Sequence, residues 1–106
     1  MPYCQLEDVK KRLNIKEAIT EFDNEINDLI EEATAEIDDR LSPLTTTPLA
    51  SVPKTLRFAC ADLAAAMYQT RKKGPNDPKS VFYELYEHKM TTYIDAHYYK
   101  GAMGDD

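Results

Sequence analysis

Residues 51–73 read as one long helix that is apolar on two sides, and a short chain built round such a helix has to be a helical bundle. Ser51 stands where it can cap the free amides of the first turn, Pro53 sits where a missing N–H costs nothing, and Gly74-Pro75 ends the helix after a cationic last turn. On a helical wheel Leu56, Ala59, Cys60, Leu63, Ala66, Met67 and Thr70 form one stripe. Phe58, Ala61, Ala65 and Tyr68 form a second, shallower face, whose alanines let another helix come close. Two apolar faces need two sets of neighbours. A chain of 106 residues has room for one domain and one modest core, so some of those neighbours can come from another subunit.

The flanking sequence supplies further helices. Leu6, Val9 and Leu13 give residues 5–13 the spacing of a short helix, and 14–22 follow as a connector that Ile15, Ile19 and Phe22 can pin down. With Asp23 or Asn24 as its cap, a second helix is expected over residues 23–41, its stripe made of Ile26, Leu29, Ile30, Ala33, Ile37 and Leu41. Residues 42–52 hold two prolines and a threonine run, which makes them an extended or turning crossover, able at most to pair as a short strand with a neighbouring subunit. After the Gly74–Pro78 breaker, Asp77 and Pro78 are expected to open a last helix running to about Tyr99. Its apolar and aromatic side chains, Val81, Phe82, Tyr83, Leu85, Tyr86, Met90, Tyr93, Ile94 and Ala96, spread too widely for a one-sided surface helix. Such a helix either sits deep in the bundle or touches more than its own domain. The expectation is an all-α fold: one domain over residues 1–100, a bundle of about four helices with a proline-broken crossover between the second and third, and a flexible acidic tail over 101–106.

Charge narrows the function. A net charge of −6 speaks against a protein whose main work is gripping nucleic acid, since that affinity comes from neutralising phosphates. Most of the acid lies on one helix, where Glu25, Asp28, Glu31, Glu32, Glu36, Asp38 and Asp39 point away from the apolar stripe. A solvated face explains them, because no histidine accompanies the carboxylates at ligand spacing; lining a passage or repelling a polyanion is the more specific use. Arg71, Lys72, Lys73 and Lys79 make a basic patch round the Gly74–Pro78 turn, which complements a helix C-terminus and can also dock an acidic partner. Cys4 and Cys60 are expected as free thiols, since neither belongs to a CxxC pair and Cys60 lies on the main apolar stripe. No apolar run approaches the length of a membrane span, and the N-terminus has no basic-then-apolar signal.

Convergent chemistry is scarce. His88 and His97 fall on opposite faces of one helix, and Glu84 with His88 at i, i+4 more often makes a surface hydrogen bond than a site. There is no GxSxG, no HExxH and no glycine loop able to cradle a phosphate. The expectation is a protein that is not an enzyme and carries no cofactor and no metal. A carboxylate-metal enzyme built on Glu32, Glu36, Glu84 and His88 is the weakest of the readings considered.

Three stretches together have a familiar order: Leu6-Glu-Asp-Val-Lys-Lys-Arg-Leu-Asn-Ile15; Asp28-Leu-Ile-Glu-Glu-Ala-Thr-Ala-Glu-Ile-Asp-Asp-Arg-Leu41; and Val52-Pro53 opening a helix that ends Ala64-Ala-Ala-Met-Tyr-Gln-Thr-Arg71. Over residues 4–73 this resembles the small head-tail connector proteins of tailed bacteriophages. The resemblance implies a helical adaptor of the virion neck, made in the host cytoplasm and assembled as a ring, commonly dodecameric, beneath the portal protein. It would extend the DNA channel without binding DNA specifically and offer a platform for the next neck or tail protein. On that reading Phe82, Tyr83, Tyr86, Met90, Tyr93 and Ile94 are the candidates for subunit and portal contacts. Glu25, Asp28, Glu32, Glu36 and Asp39 are the candidates to face the channel, and Arg71, Lys72, Lys73 and Lys79 form the docking patch. The alternative from another class is a small acidic helical module that sequesters a basic partner.

Overall fold

The structure, a computed structural model, describes residues 2–72 and 80–99. Four α-helices follow in order: α1 (Leu6–Leu13), α2 (Asp23–Leu41), α3 (Lys54–Lys72) and α4 (Val81–Ile94), the last continued by a π-helical turn over Asp95–Tyr99. No strand occurs among the described residues, and the fold is the all-α bundle expected. Within it α3 packs against each of the other three helices, and its residues 59–66 are buried without a break. On α3, Cys60 of the main stripe lies against Thr34 of α2, and Phe58 of the shallower face meets Arg12 of α1. One expected member of the stripe, Thr70, is exposed.

Local chemistry sets the ends of the elements. In the first turn of α1 the Asp8 carboxylate accepts the Gln5 N–H at 2.9 Å; at the other end Asn14 takes φ 59°, a left-handed conformation that its short polar side chain tolerates. α2 spans the expected residues, but neither Asp23 nor Asn24 is its cap. The position before the helix is held by Phe22, and the Asp23 carboxylate instead accepts the buried Lys10 ammonium at 2.9 Å. Ser51 does not cap α3 either. That helix begins three residues later, and the Pro53 carbonyl accepts the Arg57 N–H at 3.0 Å as its first helical bond. α4 is capped by Ser80, whose hydroxyl oxygen accepts the Phe82 N–H at 3.1 Å and whose proton goes to Gln69 on α3. The expected stop at Gly74-Pro75, the expected start at Asp77-Pro78 and the tail 101–106 lie outside the described residues.

Polar side chains from the N-terminal half fasten this core. Lys10, almost fully buried, also donates to the carbonyls of Glu17 at 3.1 Å and Ile19 at 2.6 Å, which ties the 14–22 connector to α1 and to the start of α2. Arg57 grips Asp8 with two bonds of 2.9 and 3.0 Å. Burial pushes the Asp8 pKa up, but the bonds from Arg57 and Gln5 and the charges of Arg57 and Arg12 outweigh it and hold the carboxyl below its ordinary value. Asp62 is the least expected of these groups. It lies in the middle of α3, in the run Ala59-Cys-Ala-Asp-Leu-Ala, and is buried, accepting Arg12 Nε from α1 and Lys89 Nζ from α4, each at 2.6 Å. The crossover is held from a third direction: buried Tyr3 donates its hydroxyl proton to Asp38 and accepts the Leu49 N–H at 2.9 Å. No strand forms there. Cys4 and Cys60 are free, buried thiols, and Cys60 lies 3.6 Å from the Thr34 hydroxyl.

Candidate functional site

α2 and α4 lie on the same helix without approaching each other closely, and a groove of about 570 Å³ opens between them. Leu29, Leu63, Ala66 and Met67 give it an apolar lining, while Glu32, Glu36, Arg71 and Tyr83 also border it. Among the described residues one ion pair bridges α2 to α4, Arg40 to Glu87 at 3.0 Å, and the Arg40 guanidinium stands 5.5 Å from the Tyr86 ring centroid. Tyr86 lines the groove too, its buried hydroxyl facing the Arg40 guanidinium. Burial holds that phenol above its ordinary pKa, with the hydrogen bond from Arg40 and then its charge working the other way.

The six candidates for subunit and portal contact fall into two sets. Tyr86, Met90 and Tyr93 point inward and are part of the chain's own core, so they stiffen α4 from below and are not on offer to a partner. Phe82 and Ile94 are half-buried against that core, and Tyr83 is exposed. The outward side of α4 is instead carried by Val81 and Leu85, at i, i+4 spacing. With exposures of 58% for Val81, 41% for Leu85, 37% for Tyr83 and 38% for Phe58 on α3, these are large apolar side chains that the bundle leaves uncovered. On the wheel Val81 and Leu85 group with the tyrosines that turn inward, and only packing shows that they are exposed.

The acidic face of α2 is divided in the same way. On one flank Glu25 and Glu32 meet the end of α3: Arg71 reaches Glu32 at 3.1 Å and Glu25 at 3.9 Å, and Lys72 reaches Glu25 at 3.4 Å. Two members of the basic patch are thereby spent within the chain; Lys73 and Lys79 lie outside the described residues. Asp38 on the other flank serves Tyr3. Asp28, Glu31, Glu36 and Asp39 remain exposed. At the other end of α3 the Arg12 guanidinium lies 5.6 Å from the Phe58 ring centroid while its Nε is bonded to Asp62, Arg57 is bonded to Asp8, and Lys54 is exposed.

Among the described residues no group of three or more His, Cys, Asp or Glu side chains could hold a metal ion, and His97 lies stacked on Tyr93, ring centroids 4.1 Å apart. No helix among them is long and apolar enough to cross a membrane. What the chain does have is a groove bordered by α2 and α4 and exposed apolar side chains on α4.

No curated protein and no solved structure matches the chain. A protein family does: the model of the phage gp6-like head-tail connector proteins covers residues 3–93, from the buried N-terminal strap through Tyr93 of α4. The match extends past the 4–73 stretch on which the resemblance was first seen, and it takes in the last helix. By that match, over most of its length, the chain belongs to the phage gp6-like head-tail connector family.

Proposed function

We propose that this chain is the structural adaptor of a tailed-phage neck, a ring-forming subunit that sits under the portal, extends the DNA channel and carries the next neck or tail protein. Family membership supports the structural role in the neck. The observation that carries the rest is the set of uncovered apolar side chains, Val81, Tyr83 and Leu85 on α4 and Phe58 on α3, on a bundle whose buried core is otherwise complete. Side chains of that size left in water on two sides of one small subunit suit contacts with two kinds of neighbour.

In this arrangement the outer face of α4, Val81 and Leu85 with Phe82, Tyr83 and Ile94 at its margins, meets the portal, and Tyr86, Met90 and Tyr93 hold it rigid. The outward carboxylates of α2, Asp28 and Asp39 foremost, border the channel, where like charge lets DNA pass without sticking. Glu25, Glu32 and Glu36 lie on the flank of α2 that turns toward α3 and α4. Size-exclusion chromatography with light scattering, on the chain alone and then with the portal protein of the same phage, tests the reading. Co-elution as a ring-sized complex is expected; a chain that stays monomeric and ignores the portal overturns it.

A further inference from the structure

Residues 2–5 run as a strap ahead of α1, with Pro2 and Gln5 exposed and Tyr3 and Cys4 buried between them. Tyr3 holds the strap down: its N–H donates to the Thr34 hydroxyl at 3.1 Å, its hydroxyl donates to Asp38, and the Leu49 N–H donates to its phenolic oxygen at 2.9 Å. Thr34 in turn lies 3.6 Å from the Cys60 sulfur on α3. The same short stretch brings the Cys4 side chain onto Cys60, and the two thiols are hydrogen-bonded to each other. Both are free, and Cys4 is 2% and Cys60 0% exposed.

Two sulfurs in contact, on segments far apart in sequence, are the arrangement a disulfide needs, since the bond then asks only for a short approach of side chains that already face each other. The pair is also chemically unequal. Cys60 receives hydrogen bonds from the Cys4 thiol, from Thr34 and from the backbone of Tyr3 and Cys4, which hold its thiol below its ordinary pKa despite burial. The bond to Cys60, and then burial, push the Cys4 thiol up. Cys60 is thus the better nucleophile while the strap is closed. Cys4 is the sulfur that an outside reagent reaches when the strap opens.

We infer that Cys4 and Cys60 are a redox pair, which an oxidising disulfide such as oxidised glutathione converts into a bridge that fastens the strap to α3. In the first exchange the Cys4 thiolate of the opened strap attacks one sulfur of the oxidant, giving a mixed disulfide and one released thiol. As the strap closes, the Cys60 thiolate attacks the Cys4 sulfur and expels the second thiol. Two protein thiols lose two electrons, the S–S bond of the oxidant gains them, and the two protons go to the released thiols. The bridge closes a loop that holds all of α1 and α2, so it restrains the unfolded chain and removes strap opening from the folded one. A reducing cytoplasm keeps the pair as thiols, and a virion outside it favours the bridge. That use rests on the adaptor reading; the bond itself does not.

Incubating the full chain with oxidised glutathione, alkylating the remaining thiols in denaturant and measuring the intact mass tests this. The expected product is a monomer with no alkylatable thiol, no added glutathione and a cross-linked peptide joining Cys4 to Cys60, and dithiothreitol is expected to return both thiols. Its Tm is expected about 10–20 °C above that of the reduced chain. Cys60→Ala is expected to keep glutathione on Cys4 and, like Cys4→Ala, to show no such rise on oxidation; circular dichroism verifies that both fold. Tyr3→Phe touches neither sulfur and is expected to form the bridge about tenfold faster by loosening the strap. Thiols that stay alkylatable, glutathione retained on the parent, dimers joined through cysteine, or a bridged chain no more stable than the reduced one each overturn the inference. An unchanged rate in Tyr3→Phe overturns the route through strap opening. Co-elution of the reduced chain with the portal protein reads the adaptor proposal separately, so the two failures are distinguishable.

Discussion

Replacing Asp62 by alanine tests whether a buried ion cluster, and not the apolar core alone, fixes α1 and α4 on α3. The carboxylate is 2% exposed and takes two cationic bonds of 2.6 Å from helices that do not pack closely on each other. A hydrogen bond involving a charged group contributes about 1.5–3 kcal/mol, and removing one partner from a buried ion pair costs about 3–5 kcal/mol because the other is stranded. Arg12 and Lys89 are 21% and 28% exposed, so both cations can turn partly to water once the carboxylate is gone. That places the cost at the lower end, about 3 kcal/mol, against which alanine's helix propensity returns only about 0.5.

For a domain of this size each kcal/mol moves Tm by about 4–8 °C, so D62A is expected to melt roughly 12–24 °C below the parent. Urea and thermal unfolding followed by far-UV circular dichroism measure it. Two companions make the reasoning specific. Arg12→Met in the D62A background should cost much less than in the parent, because its partner has already gone. The triple change D62L/R12M/K89M should recover most of the loss, since an apolar trio strands no charge. A D62A protein within about 0.5 kcal/mol of the parent would refute the assignment of a fastening role to Asp62.

Three further outcomes follow from the other buried polar groups. Lys10→Met should cost about 2 kcal/mol and raise hydrogen exchange selectively over residues 14–22, because the Glu17 and Ile19 carbonyls and the Asp23 carboxylate lose their common donor. For Asp8, whose folded pKa lies below its unfolded one, the stabilisation is complete above about pH 4 and fades as pH falls through the folded value. D8N should therefore be less stable than the parent at neutral pH, with the difference closing on acidification, as urea midpoints across pH 2–7 would record. Burial, then the bond to Asp38, pushes the Tyr3 phenol up to about 12, so its contribution holds below about pH 10 and is lost as pH rises through 12. Tyr3→Phe should remove one late-ionising phenol from an ultraviolet titration and cost about 1–3 kcal/mol by leaving the Leu49 N–H without its acceptor.

Periodicity reported the helices faithfully where one face is apolar and the other wet. α2 is the clearest instance, its expected and observed spans being the same. Ends were harder to read, because a cap residue is recognised by type while the structure chooses it by competition. Asp23 is a good cap by type, yet a buried ammonium from another helix outbids a backbone amide for its carboxylate. The polar core left one trace in the sequence, a lone acid in the run Ala59-Cys-Ala-Asp-Leu-Ala, but its partners Arg12 and Lys89 lie 50 and 27 residues away and nothing local joins them. On α4 the wheel showed an excess of aromatic and apolar positions without saying which turn inward. Tyr83 and Tyr86 differ only by their register against α3, and that register is set by packing.

The distribution of ions separates a fastened side of the bundle from a looser one. Charged groups with little exposure are concentrated where α1, the connector and the middle of α4 meet α3, through Asp8, Lys10, Arg12, Asp62 and Lys89. The α2 side is joined instead by more exposed pairs, Arg71 to Glu25 and Glu32, Lys72 to Glu25 and Arg40 to Glu87. Exposed pairs contribute little and are screened by salt, so raising the salt concentration is expected to loosen α2 and the end of α3 while leaving the α1 side held, which hydrogen exchange at low and high salt would record.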